Sequence, residues 1–158
     1  MGILSFEEAI KIPRPRAPIP FFVPSLGEEE EAEVVATLRS GWLTSGARVQ
    51  RFEEELRKFL GTEREICAVS SCTAALFLSL VSAGVQPGDS VLVPAFTFVS
   101  TVNVILHLGA HPVFCDIHPE TLNIDVDQIP PKIHPGIKIL LPVHFGGYPA
   151  DLERIYSL

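Results

Sequence analysis

The sequence predicts an α/β fold: a mainly parallel β-sheet with helices on both faces. Three observations predict it. Short apolar runs at residues 66–69, 90–93, 113–117 and 137–143 alternate with helix-period segments at 73–83 and 98–108, the rhythm of βαβ units. Gly84, Gly109 and the turn Pro87-Gly88-Asp89 stand where such elements should stop. Twice an apolar run passes through a short turn directly into a helical pattern, at Val69-Ser70-Ser71-Cys72-Thr73-Ala74-Ala75-Leu76 and at Val93-Pro94-Ala95-Phe96-Thr97-Phe98-Val99.

The elements follow in order. Residues 1–20 hold Pro13, Pro15, Pro18 and Pro20 with Arg14 and Arg16. They read as an extended N-terminal arm, either a tail without fixed structure or an arm packed on a partner. Ser25-Leu26-Gly27-Glu28 reads as a capping box with Ser25 at the N-cap, opening a helix that Gly41 stops. Its Glu28–Glu31 run is a solvated first turn and matches the helix dipole. The loop Gly41-Trp42-Leu43-Thr44-Ser45-Gly46 carries the only Trp. Two readings stay open for it, a lid or ligand contact and a hydrophobic anchor. Phe52, Leu56, Phe59 and Leu60 then mark an amphipathic helix over 49–60, ended by Gly61. The alternating region begins at residue 66. In its second helix Phe98, Val102, Ile105 and Leu106 are expected on one face. Residues 118–135 read as loop with a short helix near 127–129. Leu152, Ile155 and Tyr156 open a last helix that stops within about two turns, which reads as a chain cut inside its domain.

A strand, a small-residue turn and a helix N-terminus together can make an anion site. Free N–H groups and the positive end of the helix dipole converge there. The same pattern also makes plain connections that bind nothing. The next βα turn carries Phe96 and Phe98. In a shared parallel sheet both turns lie on the C-terminal edge, where α/β ligands bind. A phosphate cradle beside an aromatic face suits a flat phosphorylated aromatic ligand.

Composition narrows the classes. The 158 residues suit one domain, and the net charge of −7 argues against nucleic acid as the main partner. The mean hydropathy of +0.31 is high. Strands buried on both faces explain part of it, and apolar surface reserved for a partner explains the rest. Three Cys residues (Cys67, Cys72 and Cys115) without a C-x-x-C pair read as reduced cytosolic thiols. No signal peptide and no membrane-spanning apolar run is visible. His107, His111, His118, His134 and His144 do not share a metal-site spacing. His144, at a strand end, reads as a structural hydrogen-bonding residue before a site residue.

These residues resemble the DegT/DnrJ/EryC1/StrS family, pyridoxal-phosphate-dependent sugar aminotransferases of fold type I. The landmarks are Ser40-Gly41-Trp42-Leu43-Thr44-Ser45-Gly46, Ser71-Cys72-Thr73-Ala74-Ala75-Leu76, Pro87-Gly88-Asp89, Thr97-Phe98-Val99-Ser100-Thr101, Asp125, Pro142-Val143-His144-Phe145-Gly146-Gly147 and Pro149-Ala150-Asp151. The resemblance implies that residues 21–158 form the N-terminal part of the transferase large domain. It implies pyridoxal 5'-phosphate as cofactor, bound by Cys72, Thr73 and Ala74 with Phe98 stacked on its ring. It turns Trp42 and Thr44 toward substrate. It further implies a cytoplasmic homodimer acting on a nucleotide-linked keto-sugar, with glutamate as amino donor. A dehydratase of the same family and a non-catalytic binding protein are the alternative readings. Cys72 stands where the family usually has Gly, so its Cβ would strain the turn if φ were positive there.

The resemblance also implies a Schiff-base Lys and an Asp at the pyridine nitrogen, and no residue here matches either. Lys11 lies in the arm, Lys58 on a polar helix side, Lys132 in a Pro-rich loop and Lys138 at the N-terminal edge of a strand. The chain by itself is therefore expected to be inactive, with no catalytic residue and no metal.

Overall fold

The computed structural model describes Lys11, Pro18, Pro20 and residues 22–158. The arm expected over residues 1–20 otherwise falls outside the described residues. The chain divides into two compact units, one ending at Arg64 and one running Glu65–Leu158.

The first unit carries α1 (Glu28–Ser40) and α2 (Ala47–Phe59). The N-cap of α1 is Gly27, not Ser25. The Glu30 carboxylate accepts the Gly27 N–H at 2.7 Å. Glu30 occupies N3 of this helix, so its reach back to the N-cap sets the start two residues later than Ser25 suggested. Gly41 (φ 70°) ends α1 as expected. Arg48 and Arg51 of α2 both pair with Glu33 of α1. The apolar stripe of α2 forms at helical spacing but stays open, with Phe52 56% and Phe59 86% exposed.

The second unit is built on three parallel strands in the order β2-β1-β3, namely β1 (Ser90–Pro94), β2 (His111–Cys115) and β3 (Ile137–Leu140). β1 is central. It pairs with β2 from Ser90↔His111 to Pro94↔Cys115, and with β3 at Val91↔Ile139 and Leu92↔Leu140. All five β1 residues are buried, as an unbroken apolar run in the middle of a covered sheet requires. β2 starts and ends two residues before the 113–117 run, and β3 is shorter than the 137–143 run. Residues 66–69 form no strand. Their apolar character matches a strand, but strand structure needs a ladder partner, and the described sheet has β2 and β3 at its edges.

Two cores lie on opposite faces. On one, Val91 and Val93 meet Leu80 of α3 (Cys72–Ser82) and Val104 and Ile105 of α4 (Val99–His107). On the other, Leu92 and Cys115 meet Ile124, Val126 and Ile129, with Ile155 of α5 (Leu152–Tyr156) packed against them. The 118–135 loop contains 3₁₀ turns at Val126–Gln128 and Pro130–Lys132, close to the short helix expected. The buried residues of α4 are Thr101, Val104 and Ile105. Of the four expected on that face, Phe98 and Leu106 are exposed. The helix is wedged between α3 and the sheet, which rotates its buried stripe toward Thr101. In α5 Tyr156 is likewise exposed, while Ile155 packs inward.

Candidate functional site

From β1 the sheet extends to β2 on one side and β3 on the other. A crevice forms beyond the strand C-termini where neighbouring connections diverge in this way. A cleft of about 440 Å³ lies there, lined by Cys72 and Thr73 of α3, Thr97 and Phe98 after β1, and Pro142 and Val143 after β3. Three residues singled out from the sequence, Cys72, Thr73 and Phe98, thus share one space.

The start of α3 is closed by a side-chain cap. Ser71 is the N-cap, and its Oγ accepts the Ala74 N–H at 3.1 Å. That leaves the N–H groups of Cys72 and Thr73, at N1 and N2, without an intrahelical acceptor. Ala74 was expected to offer its N–H to a phosphate, but here that donor is engaged by Ser71. Cys72 is helical, and Leu122 is the one non-glycine residue with positive φ among those described. A Cβ at position 72 therefore does not strain the turn.

Phe98 is the N-cap of α4, extended at φ −70° and ψ 141°. Its ring is 75% exposed beside the cleft. The turn before α4 is braced by a hydrogen bond between the Thr97 and Thr101 hydroxyls at 2.9 Å. Phe96 contacts Phe145, their ring centroids 4.7 Å apart. Neither the Thr pair nor the ring pair was visible in the sequence, since each depends on how the turns are folded. His144 Nδ1 accepts the Ala150 N–H at 2.9 Å, the structural role expected of it.

Trp42 and Thr44 lie in the first unit, where with Thr37, Ser40 and Arg48 they line a separate cleft of about 530 Å³. The Trp42 indole N–H donates to the Ser45 carbonyl at 2.9 Å, and the ring remains 64% exposed. Lysines are absent from the Cys72–Phe98 cleft lining. Lys58 pairs with Glu54 and Glu55, which raise its pKa. Lys138 lies near the start of β3, away from the C-terminal edge. Among the described residues no cluster of His, Cys, Asp and Glu could hold a metal ion.

The sequence model described as the DegT/DnrJ/EryC1/StrS aminotransferase family matches residues 24–158. The spore coat polysaccharide biosynthesis protein SpsC of Bacillus subtilis is 47% identical over 140 residues, which cover 89% of this chain and 36% of SpsC. The putative sugar aminotransferase Spr1654 from Streptococcus pneumoniae, in its PMP form, superposes with a TM-score of 0.82 at 40% identity, over 88% of this chain and 35% of that one. The aminotransferase TlmJ from Streptoalloteichus hindustanus has a TM-score of 0.82 at 44% identity, over 88% and 38%. The chain therefore spans little more than a third of the length of these relatives.

Proposed function

Because the chain belongs to the DegT/DnrJ/EryC1/StrS aminotransferase family, we propose that it is the N-terminal portion of a pyridoxal-phosphate-dependent aminotransferase acting on nucleotide-linked keto-sugars, with glutamate as amino donor. The observation that carries this reading is the cleft that gathers Cys72, Thr73 and Phe98 at the sheet's C-terminal edge. Its features fit the cofactor: two uncommitted N–H groups and a hydroxyl at a helix N-terminus suit a phosphate, and an exposed ring suits a flat heteroaromatic face. When bound, pyridoxal phosphate supplies an electron sink for the reaction. The N–H groups of Cys72 and Thr73, with the Thr73 hydroxyl, hold the phosphate. Ser71 keeps the Ala74 N–H capped and the helix end in shape. Phe98 orients the ring.

None of Lys58, Lys132 and Lys138 lines the cleft, which supports the reading that none of them is the amine that would hold the cofactor. Borohydride reduction in the presence of pyridoxal phosphate is expected to leave Lys11, Lys58, Lys132 and Lys138 without a specific label, and the chain alone is expected not to transaminate. Trp42 and Thr44 are assigned to the substrate side, supported by the open cleft they line in the first unit. Residues 21–158 are proposed to be the N-terminal part of the large domain. The assembly is proposed to be a cytoplasmic homodimer. The exposed apolar side chains of α2 and three free thiols support this, and no described helix is long and apolar enough to cross a membrane.

Thiol labelling tests the cofactor site with an internal control. Cys72 lines the proposed cleft, whereas Cys67 lines a different one with Val69 and Leu78. Pyridoxal phosphate is expected to slow alkylation of Cys72 while leaving Cys67 unaffected. Equal rates at Cys72 with and without pyridoxal phosphate would sink the assignment.

A further inference from the structure

Asn123 is the one buried amide side chain of the second unit, 4% exposed. Its Nδ2 donates to the Tyr148 carbonyl at 3.0 Å, and its Oδ1 accepts the Phe145 N–H at 2.8 Å. One side chain thus ties both ends of the 145–148 turn, where Gly146 and Gly147 have positive φ. The loop that presents Asn123 is itself tightly set. Leu122 sits at φ 59°, a conformation disfavoured by its Cβ. Two backbone bonds hold it there, Leu122 N–H to the His118 carbonyl at 2.8 Å and His118 N–H to the Asn123 carbonyl at 2.9 Å. Strain of this kind persists only where its surroundings over-determine it.

The turn that Asn123 holds carries Phe145 against Phe96, and Phe96 lies two residues before Phe98 in the β1–α4 turn. The same stretch contributes Pro142 and Val143 to the cleft. We infer that Asn123 is a positioning residue for the cofactor cleft: through the Phe145 backbone and the Phe145–Phe96 ring contact it sets the turn from which Phe98 faces the ligand. This rests on the cofactor reading above. Asn123 itself does not line that cleft, and its action is indirect.

The test is a double-mutant cycle on pyridoxal phosphate affinity in the purified protein, measured by equilibrium dialysis for wild type, Asn123→Ala, Phe145→Ala and the double variant. Circular dichroism and thermal unfolding check each fold. Asn123→Ala is expected to weaken binding about threefold to tenfold, and to add almost nothing once Phe145 is already Ala. A purely structural residue would lower thermal stability without that coupling. Asn123→Asp keeps the acceptor for the Phe145 N–H but sets a carboxylate oxygen against the Tyr148 carbonyl in place of the donor, so it too should weaken binding. It replaces Ala in the cycle if Asn123→Ala fails to fold. The same effect of the Asn123 change in both backgrounds, or wild-type affinity in a folded Asn123 variant, overturns the inference. A second readout separates it from the cofactor reading. Ring resonances of Phe96 and Phe98 should shift in Asn123→Asp without any ligand, and shifts confined to residues 144–150 overturn the inference. Failure of the wild-type protein to take up pyridoxal phosphate overturns the cofactor reading, and the ring shifts then decide the role of Asn123 alone.

Discussion

A Cβ at residue 46 would overlap the indole of Trp42. The backbone of Gly46 is extended, at φ −176°, so glycine is needed here for space and not for conformation. Gly46→Ala is expected to push the indole off the Ser45 carbonyl and cost about 1–3 kcal/mol. Trp42 is the single Trp, so its emission reports the change directly, and an unshifted spectrum with unchanged stability would refute it. The thiols separate by burial. Cys67 and Cys72 are exposed, whereas Cys115 is fully buried. Burial pushes the Cys115 thiol up from its ordinary pKa. A thiol raised in the folded state stabilises most below its unfolded pKa, about 8.5, and that contribution is lost as pH rises through the higher folded value. Two thiols are therefore expected to react rapidly with Ellman's reagent and the third only on unfolding. Stability should decline on the alkaline side, and Cys115→Ala should remove that decline. Rapid reaction of all three in the folded protein would contradict the assignment.

Among the elements, β1 carries the packing of the second unit. Val91 and Val93 point to one core and Leu92 to the other, so a single strand joins the two faces. Leu92→Ala is expected to cost about 2–5 kcal/mol by leaving a cavity beside Ile124 and Ile129, measured by urea unfolding. A loss below 1 kcal/mol, on the order of an exposed position, would show that this face is loosely packed. α1 has no buried residue and leans on its cap. The Gly27 N–H holds the Glu30 carboxyl below its ordinary pKa. A depressed carboxyl contributes stability above its unfolded pKa, about 4.3, and loses it as pH falls through the lower folded value. The first turn of α1 should therefore fray below about pH 4. Glu30→Gln accepts the same N–H without titrating and should resist that fraying. Amide exchange at Gly27 distinguishes them, and identical acid profiles would count against the cap.

At the scale of the whole molecule, apolar surface is plentiful. Phe22, Leu38, Phe52 and Phe59 in the first unit, and Leu78 and Val81 in the second, are all exposed. This accounts for the part of the high mean hydropathy that the buried strands do not. Exposed apolar side chains favour association over a free surface. Sedimentation over a dilution series is expected to show a concentration-dependent oligomer, and a single monomeric species throughout would count against it.

Much of this architecture was legible in the chain. Gly41, Gly61, Gly84 and Gly109 were each expected to end a helix, and each has positive φ. The turn into α3 and the turn into α4 were read as one ligand edge, and the cleft between them contains Cys72, Thr73 and Phe98. Such features are local: φ preference, apolar periodicity and helix polarity are written within a few residues. What escaped the sequence depends on distant partners. Residues 66–69 look like a strand, but an apolar run cannot supply a ladder. The buried stripe of α4 turned toward Thr101 because two surfaces press on that helix. The capping of Ala74 by Ser71 was a choice between competing acceptors for one N–H. Asn123 gave no signal at all, because its partners lie 22 and 25 residues away. The sequence by itself determined the order and kind of most elements, residues 66–69 excepted, and that Cys72, Thr73 and Phe98 come together at one sheet edge. Tertiary structure decided which groups meet there, since burial and hydrogen-bond pairing belong to segments that only folding brings together.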